Sequence, residues 1–379
     1  MNTSSTLAPS HPRYLRPIIA EDLTRKMVFL GGPRQVGKTS LGKDLIADPA
    51  AYLNWDFAAH RSAILKHQLP ATSAWFFDEI HKYRLWRGFL KGLFDVHGNR
   101  QRILVTGSAR LDYYRFGGDS LQGRYHYLRL HPFSVAELGI TTQADFEQLF
   151  RLGGFPEPFL SGSERQARRW ARDYRDRLMR EDVSSLERID NLGQLELLML
   201  RLPELVGSPL SLNSIREDLS LSHRTITEWM EVLERLYAIY RIAPFGAPRI
   251  RAVKKSQKHY HFDWSVVENE GARFENLVAS HLQKWVHYQN DVEGRNAELR
   301  YFRDIDQREA DFVVLESGVP VSFIECKLSD GPVGNGLRYL KQRFAHVDAW
   351  QVAARSTRDY VTREGVRVAP VLRLLEALK

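Results

Sequence analysis

Gly32-Pro33-Arg34-Gln35-Val36-Gly37-Lys38-Thr39 decides how the rest of this chain is read. The octet fits the pattern GxxxxGK[ST] in full. It follows the apolar run 27–30 and precedes a helix-forming stretch at 40–45. In that context glycines let the backbone curl so that successive N–H groups and a helix N-terminus face an anion. Lys38 would then reach the β- and γ-phosphates and Thr39 would ligate Mg2+. ATP and Mg2+ are therefore the expected ligands, with Gly32, Pro33, Arg34, Gln35, Val36, Gly37, Lys38, Thr39 and Ser40 lining the phosphates. The bland alternative, a Gly-rich turn with an exposed lysine, leaves the flanking strand and helix unexplained.

About forty residues on, Ala74-Trp75-Phe76-Phe77-Asp78-Glu79 reads as an apolar strand ending in two carboxylates. Asp78 is placed for the metal shell and Glu79 to polarise a water for attack on the γ-phosphate. Such a pair alone is usually a surface turn, so its meaning comes from its partner motif. A further strand at 103–106 runs into Gly107-Ser108, and open α/β sheets bind ligands at the carboxyl ends of their strands. Either Thr106 or Ser108 could thus sense the γ-phosphate, the other reading being a plain strand-end turn. Arg124, after Gly123, is the candidate finger that offsets transition-state charge, in its own chain or from a neighbouring subunit. Arg110 competes for that role.

Composition sets outer limits. The chain has 379 residues, enough for two to three domains, and its 43% hydrophobic and 26% charged content is that of a folded protein. No apolar stretch approaches the roughly 20 residues that cross a bilayer, so a soluble, cytoplasmic protein without membrane partners is expected. A single cysteine, Cys326, excludes an intrachain disulfide and a thiolate zinc cluster. The net charge of +8 suits a polyanionic partner without demonstrating one.

Strand-like runs at 27–30, 52–55, 75–77 and 103–106, alternating with helical stretches, predict an α/β fold whose parallel sheet has helices on both faces. A further strand and turn are expected within 130–138, and helices from about 145 to 205. Gly153-Gly154-Phe155-Pro156 marks a turn among them, and the Arg-rich stretch 163–180 reads as a solvated helix. Two helices at 211–219 and 222–236, then strands at 237–244 and 259–264 around a basic loop, read as a winged helix. Arg249, Arg251, Lys254, Lys255 and Lys258 would suit a wing touching phosphates, making DNA an expected partner; equally, such a unit serves as a lid or protein contact.

Near the C-terminus Asp311 sits on an apolar strand, and Glu325 and Lys327 follow on another, where i and i+2 point to one face. If the strands pair, Asp311 and Glu325 can meet at one divalent metal, Lys327 can stabilise water or phosphate, and Glu275 can add a carboxylate. That is the pattern of a PD-(D/E)XK nuclease site. Retained carboxylates also serve purely structural roles.

The octet, then Phe-Asp-Glu-Ile-His-Lys at 77–82, Val-Thr-Gly-Ser at 105–108, Gln-Gly-Arg-Tyr at 122–125 and Leu-His-Pro-Phe-Ser at 130–134 resemble a family of prokaryotic AAA-type P-loop ATPases. That family carries a C-terminal domain of unknown function related to restriction-endonuclease folds. Phe274-Glu275-Asn276 and Ile324-Glu325-Cys326-Lys327 continue the likeness along nearly the whole chain. His81 stands where family members have Gln. Read with the resemblance, the expected domains are an ATPase core at 14–140, a helical lid at 141–205, a winged helix at 206–266 and an endonuclease-like α/β domain at 267–379. Hydrolysis would shift the lid against the core and so move the C-terminal half. The two rival functions are an ATPase coupled to a nuclease-like domain acting on or near DNA, and an ATP-dependent switch whose C-terminal half only binds DNA or protein. A homo-oligomer is the expected setting for a trans-acting arginine.

Overall fold

A computed structural model describes residues 12–107, 121–183, 191–246 and 257–378 of the chain. Its first sheet holds β1 (Met27–Gly31), β2 (Tyr52–Asn54), β3 (Ala74–Asp78), β4 (Arg102–Thr106) and β5 (Tyr125–Arg129). All pairings are parallel, in the order β2-β3-β4-β1-β5. Buried on both faces, β1, β3 and β4 are nearly continuous apolar runs rather than polar-apolar alternations. Alternate side chains divide between two cores. Val28, Leu30, Phe76 and Leu104 join the core that runs into the rest of the chain, while Met27, Phe29, Phe77 and Val105 pack against Phe89 and Leu90 of a helix at Trp86–His97. The strand expected within 130–138 lies earlier, at β5, because Pro132 cannot extend the ladder; Val135–Leu138 is a helical turn.

The chain leaves β1 for the far edge of the sheet, returns to β4 on one side of β1, and then adds β5 on the other. The end of β1 is therefore the point where connections diverge, which is where a crevice opens in open α/β sheets. The phosphate-loop sequence occupies that point.

Helices follow at Gln143–Leu152, Glu164–Arg177, Leu192–Arg201, Leu212–Asp218 and His223–Arg235. Ser211 and Ser222 cap the last two by accepting from the backbone N–H groups of Ser214 and Thr225. The second sheet has eight strands: β6 (Ile239–Pro244), β7 (Lys258–His261), β8 (Ala297–Arg303), β9 (Glu309–Glu316), β10 (Val319–Ser329), β11 (Asp348–Arg355), β12 (Tyr360–Val361) and β13 (Arg367–Pro370). The hairpin expected to be a wing is not a free one. β6 pairs in parallel with β8 through Ala243 and Pro244, so β6 and β7 extend an edge of the C-terminal sheet. Arg249, Arg251, Lys254 and Lys255 lie outside the described residues.

Between the two sheets runs α1 (Glu270–Asp291), 22 residues and about 33 Å long. It buries residues around much of its circumference because it packs on both sides. Asn276, Ser280, His281 and Lys284, polar groups that it buries, all have partners. Asn276 both accepts from the N–H and donates to the carbonyl of His261, closing the edge of β7. His281 donates from Nδ1 to the Leu277 carbonyl and accepts from the Val135 N–H at Nε2, and burial holds its pKa down to about 4. That neutral tautomer is the one both bonds require. No helix among the described residues is long and apolar enough to cross a membrane.

Candidate functional site

Gly32 to Thr39 form the loop between β1 and the helix Lys38–Leu45, with Ser40 in that helix. Gly32 has φ 127°, and a Cβ there would lie 2.2 Å from the Leu130 carbonyl oxygen, so only glycine fits. Gly37 has φ 98° and is the N-cap of the helix, aiming the helix N-terminus into the loop. Lys38 is buried and donates to the carbonyls of Gly32 and Pro33 at 2.8 and 2.6 Å. The loop thus curls around its own ammonium, which is where a phosphate's charge would be drawn.

The loop is braced from outside by a residue to which sequence reasoning assigned no role. Arg13 donates to the carbonyls of Val36 and His131, each at 2.6 Å, and its Nε pairs with Glu137 at 2.7 Å. Lys284 of α1 holds the other Glu137 oxygen at 2.6 Å. Burial alone would raise the pKa of Glu137, but Lys284 and Arg13 outweigh it and hold the carboxyl below its usual range. Arg129 of β5 adds a two-pronged pair with Asp291 at the far end of α1.

Asp78 ends β3 beside the loop, and three hydroxyls fix its carboxylate. Thr39 and Tyr52 donate to Oδ2 at 3.0 and 2.9 Å, and Thr106 donates to Oδ1 at 2.6 Å. The parallel register sets this up, since Asp78 pairs with Thr106 across β3 and β4. Thr106 is fully buried, so here it serves as a brace for Asp78. Tyr52 carried no distinguishing signal in the sequence beyond its place on a strand.

Glu79 follows with φ 57°, a left-handed conformation that is costly for a side-chain-bearing residue and turns the carboxylate out of the sheet. It faces Lys82 at 3.3 Å and His81 at 3.7 Å. Burial raises its pKa; Lys82 opposes this and Asp78 adds to it. The helix Glu164–Arg177, expected to be a solvated face, does expose Arg165, Arg168, Arg169, Arg172 and Arg177, and of these Arg169 and Arg177 line a cavity of about 210 Å3 together with Gln35 of the loop.

Arg124 requires a correction. Its carbonyl accepts from the N–H of Met27, at the start of β1, and its side chain pairs with Asp95 at 2.7 Å. In a parallel sheet that is the end opposite the phosphate loop, so Arg124 cannot serve the site of its own chain. Ser108 and Arg110 lie outside the described residues.

At the C-terminal sheet β9 and β10 pair antiparallel with Ile324 opposite Phe312, which brings Asp311 and Glu325 to adjacent positions of the ladder. Asp311 accepts from the Cys326 N–H at 2.8 Å. Their carboxylates nevertheless have separate cationic partners. Glu325 is paired with Lys327 at 2.7 Å. Asp311 and Glu275 instead face Lys258, whose ammonium lies 3.2 Å from Glu275, 2.6 Å from Glu309 and 4.0 Å from Asp311. Lys258 is fully buried, which overturns its expected place on a solvent-facing wing. The expected gathering of Asp311, Glu325 and Glu275 at one metal is not what the structure shows. Among the described residues, no three His, Cys, Asp or Glu side chains are grouped to hold a metal ion.

Sheet order, phosphate loop and braced aspartate together have the arrangement of a P-loop nucleotide-binding domain. Residues 24–139 match the family described as AAA domain, 143–270 a domain of unknown function (DUF8612) and 270–374 a second such domain (DUF4143). An uncharacterized protein of Methanocaldococcus jannaschii is 24% identical over 329 residues, covering 76% of this chain and 74% of that protein. Another, of Mycobacterium tuberculosis, is 23% identical over 332 residues, covering 82% and 73%. Among solved structures, a signal-transduction ATPase with a tetratricopeptide repeat sensor from Pyrococcus horikoshii is 14% identical with a TM-score of 0.24. That match covers 77% of this chain, which spans about half the length of the Pyrococcus protein.

Proposed function

We propose that the chain is a Mg2+-dependent ATP hydrolase that works as a nucleotide switch, its C-terminal half responding to the state of the phosphate loop. The bracing of Asp78 by Thr39, Tyr52 and Thr106 carries this reading, because a carboxylate fixed by hydroxyls beside a phosphate loop suits a Mg2+ shell. Mg2+ bound by Thr39 and Asp78 would neutralise phosphate charge. Lys38 would hold the β- and γ-phosphates, and Glu79 would take a proton from the attacking water. Positive charge near the γ-phosphate would come in this chain from Arg169 or Arg177 rather than Arg124, or from a second copy in an oligomer.

The same reading keeps the expected ATPase core and helical lid, while β6 and β7 of the expected middle unit join the C-terminal domain's sheet. The route between them is a buried one. Arg13 bonds the loop carbonyl of Val36 and the carboxylate of Glu137, and Glu137 bonds Lys284 on α1. The same helix carries Glu275 and Asn276 into the C-terminal sheet. A shift of the loop therefore has a mechanical path to that sheet.

Of the two readings of the C-terminal half, the geometry favours a binding or responding domain over a nuclease acting on DNA, because its acidic groups are already paired with lysines. Purified protein incubated with plasmid and Mg2+ separates them: cleavage lost in Asp311→Ala and Lys327→Ala would establish the nuclease. For the ATPase, calorimetry with ATP and Mg2+ should show binding, and phosphate release should vanish in Lys38→Ala. Absence of any heat for nucleotides would refute the reading.

A further inference from the structure

Three acidic side chains gather around Lys258, and an ammonium sits among them. Glu275 from α1 and Glu309 and Asp311 from β9 approach from two elements, and the ammonium of Lys258, from β7, lies at 2.6–4.0 Å from all three. Tyr260, two residues along the same strand, donates to Glu275 at 2.7 Å. The Tyr301 ring lies 5.4 Å from the ammonium. Three carboxylates gathered this closely, Glu275 and Asp311 mostly removed from water and Glu309 less so, would repel one another unless a cation is shared among them. Burial would drive the lysine toward neutrality, but Glu275, Asp311 and Glu309 outweigh it and raise its pKa, so it stays charged. Burial and the neighbouring Asp311 push Glu275 up to about 7, the direction for a carboxylate in a crowded acidic site.

From this placement we infer that Lys258 is the resident cation of the C-terminal acidic cluster, occupying the position a divalent metal would take and closing the cluster to metal. The residues present do not fit a bound Mg2+ while that ammonium remains, since a second cation would have to share the same carboxylates. The inference stands apart from nucleotide binding, because it concerns only β7, β9 and α1. It also gives β7 a role. The strand is held in place by Asn276 and by its pairing with β6, so the sheet edge itself carries the counterion into the cluster.

The test is an Mn2+ titration of the nucleotide-free full chain, followed by electron paramagnetic resonance. The wild type should show no Mn2+ site that depends on Asp311. Lys258→Met, similar in size but neutral, should gain one site, tighter by on the order of tenfold or more than any in the wild type. That site should be lost in Lys258→Met combined with Asp311→Asn. An Asp311-dependent Mn2+ site in the wild type overturns the inference, as does a folded Lys258→Met protein that gains none. Should Lys258→Met fail to fold, crystals of the wild type soaked in Mn2+ decide the matter. No anomalous density among Glu275, Glu309 and Asp311 is the expected result, and a peak there overturns it.

Discussion

Arg13 donates to the carbonyl of Val36 at 2.6 Å, so a residue outside the phosphate-loop motif holds the loop from behind. The same guanidinium meets Glu137, which in turn meets Lys284, and the three charges are nearly out of reach of solvent. The phosphate loop is thereby tied to the long helix that carries the second sheet. The tie is short-ranged in space and long-ranged in sequence.

Removing Arg13 should cost more than a surface arginine would. Arg13→Ala leaves Glu137 buried with one cation where it had two and frees the Val36 carbonyl. Breaking a buried pair in this way costs about 3–5 kcal/mol. The apparent melting temperature should drop, and ATP affinity should fall with it. A melting curve within a degree of wild type would show that the pair contributes little.

Thr106→Val removes one of the hydroxyls on Asp78 with little change in volume. Partners in the outer shell of a metal site typically contribute about 10–100-fold to metal affinity or activity. Half-saturation of phosphate release by Mg2+ should move up by a factor in that range, with unchanged folding by circular dichroism. Tyr52→Phe should act in the same direction, because its hydroxyl reaches the other oxygen.

Glu79→Gln should bind ATP and fail to turn it over, with phosphate release down by at least about a hundredfold. The pH profile carries a second signature. Burial raises the pKa of Glu79, so its proton is lost at higher pH than from a free glutamate, and activity should fall on the acid side earlier than an exposed base would allow. Lys82 opposes that rise, and Lys82→Met should therefore push the acid limb to still higher pH.

Asp263 offers a test that does not depend on ATP. It is buried, accepts from the N–H and hydroxyl of Ser265, and burial raises its pKa to about 6. The folded chain then holds a proton that the unfolded chain has released between about pH 4 and 6. Stability contributed by this group is present below that window and declines as pH rises through it, by about 3 kcal/mol in all. Asp263→Asn should raise the denaturation midpoint relative to wild type above pH 6 and lose that advantage near pH 4.

Much of the fold was readable before any coordinates. Strands β1 to β4 of the first sheet and the two helices at Leu212–Asp218 and His223–Arg235 follow from local apolar patterning and serine caps, whereas β5 lies ahead of the stretch expected to hold it. Lys258 shows where such patterning ends. As part of a basic run it read as a solvent-facing wing residue, yet all four residues of β7 are buried. Only the arrival of β8 at the edge of the hairpin, and of α1 across it, makes that so.

Residue order alone determined the phosphate loop, because turns that face an anion are set by glycine's freedom at positive φ and by a helix beginning at once afterwards. It also determined that a carboxylate pair would end another apolar strand. Tertiary structure decided which groups reach those elements: Tyr52 and Thr106 on Asp78, Arg13 on the loop, Lys258 among three acids, and Arg124 at the wrong end of its sheet. Those contacts join parts of the chain well apart in sequence, 17 residues for Lys258 to Glu275, 23 for Arg13 to Val36 and 28 for Thr106 to Asp78. They depend on strand order and on which face of α1 meets each sheet, and packing of the whole chain selects both.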